Sequence, residues 1–195
     1  MEVDLHHRSQ LMVGLAEQEV HGWLTKSVAS IRSAIDVGAA EGAYSLYFLM
    51  KTPINQLFAF EPSDPEMARL ARNLELNGLS SDHRVHLFSQ RVGDGSGTVA
   101  LDSLLPELET PCLVKIDVDG GEADVLRGSA GMLRQPGIRW LVEVHSLELE
   151  NQCRTLLEQA GLEVHTVPQA WWRKWLPELR PIELNHWLVA TRSTR

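Results

Sequence analysis

The segment Ser33-Ala34-Ile35-Asp36-Val37-Gly38-Ala39-Ala40-Glu41-Gly42 leaves the fold little freedom. Small and apolar residues run into an acid, then into a turn bounded by glycines. Ala43 to Met50 follows as an apolar helix. Strand, tight glycine turn and helix is how a doubly wound α/β domain opens its nucleotide site. Glycines let the backbone approach a ligand closely, and the start of the helix offers unpaired N–H groups. A dinucleotide fingerprint needs G-x-G-x-x-G, whose second glycine admits a pyrophosphate. Ala40 stands at that position, and Glu41 adds a negative charge that phosphates would avoid. A cofactor without phosphate and with cationic groups suits the turn better. S-adenosylmethionine, with its sulfonium, ammonium and adenosine, is such a molecule. An NAD-type oxidoreductase is the alternative, disfavoured by the missing glycine.

A second acid supports this choice. Gln56 to Phe60 is an apolar strand that ends in Glu61-Pro62. Glu61 lies a little over the ~20 residues beyond the turn at which an acid grips a ribose. Both ribose hydroxyls can donate to one carboxylate. The loop after the third strand, Arg84 to Ser89, brings Ser89 and Gln90 to where the adenine would lie.

The next strand, Cys112 to Ile116, ends in Asp117, Asp119 and Glu122. Asp119 and Glu122 would also complement the dipole of the helix that Glu122 begins. Ile138 to His145 is a fifth strand carrying Glu143 and His145 at its end. Between the third and fourth strands, Thr98 to Leu101 reads as a short extra strand and Asp102 to Glu109 as a short helix. Further helices are expected within Ser9–Arg32, from Ser63 or Asp64 to Leu76, and from Leu147 to Ala160, with Met67, Leu70, Leu74 and Leu76 turned inward on the second. Leu162 to Val167 and His186 to Thr191 read as the last strands. Alternating strands and helices imply a parallel sheet covered on both faces.

At 195 residues the chain reads as one domain: a leading helical segment at 1–32, an α/β core at 33–195 and a Trp-rich insertion at 168–185. A net charge of −8 argues against a nucleic-acid partner, which would call for a basic face. Two cysteines give no disulfide framework or zinc spacing, which fits a reducing, cytoplasmic setting. No signal peptide is visible, and no apolar run approaches the roughly 18 residues of a membrane span.

Asp36-Val37-Gly38-Ala39, Phe60-Glu61-Pro62, Lys115-Ile116-Asp117-Val118-Asp119-Gly120 and Glu143-Val144-His145, in this order, resemble the FkbM family of S-adenosylmethionine-dependent methyltransferases. The likeness runs from about Ile35 to Val167 and includes Leu101-Asp102-Ser103-Leu104-Leu105 and Leu126-Arg127-Gly128. It implies a Rossmann-like class I methyltransferase: a doubly wound, mostly parallel seven-stranded sheet with an antiparallel last strand. It also implies that Asp36, Gly38, Ala39 and Gly42 line the methionine end of the cofactor, that Glu61 holds the ribose, and that Asp117 lies near the amino group or the methyl. Its usual reaction is O-methylation of sugars and other natural products. The chain departs from the family wording at Ala40, where Asn is usual, and at Asp119-Gly120-Gly121, where Glu-Gly-Ala is usual.

An alcohol acceptor must lose its proton to a base or have its pKa lowered by a metal. Imidazole has the most suitable ordinary pKa, so His145 is the expected base, assisted by Asp117 or Glu143. A divalent ion on Asp117, Glu143 and His145 is chemically feasible, but no metal is expected. Trp171, Trp172 and Trp175, with Arg173 and Lys174, are read as a wall for a sugar or small-molecule acceptor. A subunit interface in a homo-oligomer is the competing reading of the same stretch. A cofactor-binding protein of this fold without catalysis is the remaining alternative.

Overall fold

The structure is a computed structural model and describes residues 17–171, 175 and 184–193. Seven strands form one sheet: β1 Ser33–Val37, β2 Gln56–Phe60, β3 Val85–Phe88, β4 Cys112–Ile116, β5 Ile138–Val144, β6 Glu163–Val167 and β7 His186–Thr191, in the order β3-β2-β1-β4-β5-β7-β6. β1 to β5 pair in parallel. β7 runs antiparallel to both β5 and β6. The chain leaves β1 toward β2 and β3, then returns to place β4 on the other side. That reversal opens a crevice beyond the carboxyl ends of β1 and β4, where such sheets bind ligands.

The helices are α1 Gln18–Val28, α2 Ala43–Lys51, α3 Asp64–Leu76, α4 Glu122–Arg127 and α5 Leu147–Gln159. All five residues of β1 and of β4 are buried, as strands covered on both faces should be. Successive side chains still alternate. Ile35, Phe58, Val114, Trp140 and Val142 pack with Val125 and Leu126 of α4 and Leu157 of α5. Ala34, Leu57, Leu113 and Leu141 pack on the opposite face with Val20 and Leu24 of α1, Phe48 of α2 and Leu70 of α3. Asp36 and Lys115 interrupt this second, apolar layer.

Several local expectations need correction. Thr98 to Leu101 is not a strand: Val99 makes a single bridge to Val92, and Leu101 begins a one-turn 3-10 helix ending at Leu104. The helix expected over Asp102 to Glu109 is that one turn: Leu105 still has helical angles, but Pro106 has no N–H to extend the ladder. Asp102 spends its carboxylate on the backbone N–H groups of Gly131 and Met132, both at 2.7 Å. Leu76 was expected inward but is 50% exposed. Leu70, Asn73 and Leu74 form the buried stripe of α3 at i, i+3 and i+4, and a residue six positions past Leu70 points elsewhere. Gly22 sits inside α1 without breaking it; the part of the expected leading helix before residue 17 lies outside the described residues. α5 is capped by Ser146, whose side chain accepts the N–H of Leu149.

Candidate active site

Two glycines fix the β1–α2 turn. A Cβ on Gly38 would lie 1.8 Å from the Asp117 carbonyl oxygen, so β4 can approach the turn only there. Gly42 has φ 89°, and a Cβ would lie 2.3 Å from a Leu70 methyl. Between them Ala40 is left-handed, with φ 46°. A side chain in that region costs roughly 1–2 kcal/mol. Glu61 supplies the compensation: its Oε2 accepts the Ala40 N–H at 2.8 Å, and its Oε1 accepts the Ser63 N–H at 2.8 Å. One carboxylate, 7% exposed, thus ties the β1–α2 turn to the β2–α3 loop. Each oxygen keeps acceptor capacity for another donor. Asn73 of α3 adds a second tie, donating to the Glu41 carbonyl at 2.8 Å.

Next to the turn lies a buried ionic chain. Asp36 and Lys115 are register partners on β1 and β4, so their side chains emerge on one face. Lys115 Nζ donates to the Gly38 carbonyl at 2.8 Å and lies 3.2 Å from Asp36 Oδ1 and 3.4 Å from Asp117 Oδ2. It also sits 5.2 Å from the centre of the Tyr44 ring. Burial alone pulls the Lys115 pKa down, but Asp36 and then Asp117 outweigh it, and the ammonium is held charged. Asp36 Oδ2 accepts the Ser45 hydroxyl at 2.7 Å. Burial, followed by the Glu17 charge, pushes the Tyr44 phenol up.

Asp117 links this chain to a second cluster. Its Oδ1 lies 3.8 Å from His145 Nε2, and Glu143 Oε2 lies 3.6 Å from the same nitrogen. His145 Nδ1 is 2.7 Å from Oε1 of Glu122, which is fully buried. The expectation of His145 as a base rested on the ordinary imidazole pKa. Here burial acts to lower that pKa, but Glu122, then Glu143 and Asp117, push it up to about 10. The Glu143 carboxyl is pushed well above its ordinary range by burial first and then by the Asp117 charge. The histidine therefore has a proton to hold rather than a vacancy for one.

Asp36, Gly38 and Asp117 are brought together through Lys115, and Asp117, Glu143 and His145 through the histidine. Ala39 donates its N–H to the Phe60 carbonyl at the same crevice. Ser89 and Gln90 are exposed in the loop after β3. Asp119 is exposed and stays out of the cluster. Glu122, expected to serve the helix dipole, turns to His145 instead. Trp171 and Trp175 are 77% and 80% exposed; Trp172, Arg173 and Lys174 lie outside the described residues. Lys115 was not singled out from the sequence, although a lysine inside an otherwise apolar buried strand signals a charged partner nearby.

The sequence model of the methyltransferase FkbM domain matches residues 78–178, more than half of the chain. The chain belongs to the FkbM methyltransferase family. The FkbM match spans β3 to β6 and contains Asp117, Glu122, Glu143 and His145; the glycine turn and Glu61 precede it. Solved structures share the fold. An FkbM methyltransferase from Methylobacillus flagellatus superposes with a TM-score of 0.66 at 13% identity, over 82% of this chain and 43% of that one. The chain thus spans less than half of that FkbM protein. An S-adenosylmethionine-dependent O-methyltransferase from Thermotoga maritima gives 0.60 at 13% identity, over 95% and 71%. An rRNA methylase from Streptococcus thermophilus gives 0.59 at 13% identity, over 92% and 99%. No curated protein matches the sequence. The seven-stranded, mostly parallel sheet is the Rossmann-like arrangement of these methyltransferases. Among the described residues no helix is long and apolar enough to cross a membrane.

Proposed function

We propose that this FkbM-family chain is an S-adenosylmethionine-dependent O-methyltransferase acting on a hydroxyl of a small molecule or sugar. The observation that carries the reading is the Glu61 carboxylate, fastened by two backbone N–H groups against a glycine turn at the switch point of the sheet. A carboxylate so placed suits a ribose diol. Asp36, Gly38, Ala39 and Gly42 would surround the methionine end, and Ser89 and Gln90 the base. The donor set fits a cation better than a phosphate: Lys115, the nearby ammonium, is already engaged by Asp36, Asp117 and the Gly38 carbonyl.

When bound, S-adenosylmethionine supplies a methyl group already activated by the sulfonium charge. The protein's task is then alignment of the acceptor and removal of its proton. Asp117, Glu143 and His145 would carry that task as a unit, since the imidazolium must shed its own proton before it can take another. The acceptor O–H bond breaks with its proton passing to this cluster. The acceptor oxygen would then be free to take the methyl group that the cofactor supplies. Trp171, Trp172 and Trp175 would wall the acceptor. The acidic crevice and the −8 charge favour a small acceptor over a nucleic-acid backbone.

Calorimetry with S-adenosylhomocysteine and with NAD tests the cofactor, and a methyl-transfer assay over a panel of hydroxylated acceptors tests the reaction. Binding of S-adenosylhomocysteine alone, followed by turnover of a hydroxylated small molecule, is the expected result. Heat with NAD only would overturn the cofactor assignment, and transfer to RNA alone would overturn the acceptor assignment.

A further inference from the structure

We propose that Asp117, Glu143 and His145 form a binding site for a divalent transition-metal ion, Mn²⁺ being the type of ion that the ligand set fits. From the residues alone such an ion is feasible but not expected; the side-chain arrangement turns the balance toward it. One ligand atom from each residue lies within 4.8 Å of the others. The His145 Nε2 distances of 3.6 and 3.8 Å to the two carboxylates are close to the spacing of ligands that share one ion at about 2.0–2.2 Å.

The independent sign is His145 itself. Its side chain is more than nine-tenths buried, and among the described residues Nε2 has no hydrogen-bond partner although it faces both carboxylates. A buried polar atom left that way calls for a reason. The other ring nitrogen supplies one. Nδ1 is 2.7 Å from the fully buried Glu122, the outer carboxylate that commonly orients a metal-bound imidazole and fixes its tautomer. An ion entering here would displace the Nε2 proton and keep the one on Nδ1, and the freed Nε2 lone pair would face Asp117 and Glu143.

Two carboxylates and an imidazole suit Mn²⁺, Fe²⁺, Co²⁺ or Zn²⁺ rather than a soft ion. Three protein ligands leave positions for water and for the acceptor hydroxyl. The ion would lower the pKa of that hydroxyl, so that Asp117, Glu143 and His145 would act on the acceptor's proton through the metal and not as the base themselves. This catalytic role rests on the function proposed above; the binding site does not.

The test uses the 195-residue chain after exhaustive chelation. Co²⁺ and Mn²⁺ are titrated by calorimetry, with visible absorption for Co²⁺, and S-adenosylhomocysteine is titrated into the same samples. One ion per chain is expected, with cobalt bands of nitrogen–oxygen coordination. His145→Ala and Glu143→Gln should each weaken binding by about 100-fold or more. Glu122→Gln, which leaves the ligands in place, should weaken it by about 10- to 100-fold. His165→Ala, which removes the surface histidine facing Glu163, should change nothing. Variants count only if their melting curves stay cooperative, and Asp117→Asn replaces any that do not. Absence of one-to-one binding, or equal binding by the ligand variants, overturns the site. S-adenosylhomocysteine binding without cobalt sinks the metal and spares the methyl donor. Cobalt binding that responds to the ligand variants, without S-adenosylhomocysteine binding, sustains the metal and sinks the donor.

Discussion

The two halves of the crevice are built on opposite principles. At the β1–β2 edge the backbone is tied together: Glu61 is held by two backbone N–H groups, Gly38 and Ala39 donate to the Phe60 carbonyl, and Asn73 braces the turn. At the β4–β5 edge three carboxylates crowd one imidazole, and its inner nitrogen is left unsatisfied. The first edge is preorganised, so a ligand meets groups already in position. The second gathers titratable groups around one imidazole. A binding edge can be rigid; an edge that moves a proton needs groups able to change state. Lys115 joins the two through Asp36 and Asp117, so removing it should disturb both. Lys115→Met leaves Asp36 buried without its cation, and breaking a buried pair in this way costs about 3–5 kcal/mol. Urea unfolding should show that loss, and Asp36→Asn combined with Lys115→Met should recover much of it. If Lys115→Met alone were harmless, the two edges would be independent.

The next effects separate the edges. His145→Ala should lower turnover by about 100-fold or more while S-adenosylhomocysteine affinity stays within about threefold. Paired calorimetry and initial rates read both numbers. Glu61→Gln should do the reverse. Its amide sets an N–H donor against either the Ala40 or the Ser63 N–H, which costs about 1–3 kcal/mol in stability and weakens S-adenosylhomocysteine by about tenfold or more. A Glu61→Gln chain with unchanged affinity and impaired turnover alone would invert the assignment of the two edges.

Much of this contrast was legible before the structure. Strand, glycine turn and helix at 33–50, with acids ending the second, fourth and fifth strands, lead to a doubly wound sheet because the apolar runs are too continuous for a one-sided one. Acids at strand ends fall on one edge because parallel strands share a direction. The sequence was silent where two side chains compete for one partner. Glu122 stands three residues past Asp119 and reads as a helix-start acid. Only the packing of α4 against β5 turns it to His145 and shifts the proton balance there. Lys115 reads as a lone charge until strand register sets Asp36 beside it. Leu76 shows the limit of pattern reading: six residues past Leu70, it falls off the face that Leu70, Asn73 and Leu74 bury.

The smallest expected effect probes how the rigid edge keeps its shape. Ala40 is held left-handed at φ 46° in a position where glycine would carry no steric cost. Ala40→Gly relieves about 1–2 kcal/mol of strain but adds up to about 1 kcal/mol of unfolded-chain entropy. The net gain should be up to about 1 kcal/mol, a rise of about 2–4 °C in melting temperature for a chain of this size. The informative comparison is the same change made in the Glu61→Gln background. If Glu61 is what holds Ala40 in its strained state, weakening that grip lets the turn relax by other routes, and glycine should then gain less. An equal gain in both backgrounds would mean that Gly38 and Gly42 alone fix the turn. Glu61 would then be free to act toward a ligand without first serving the backbone.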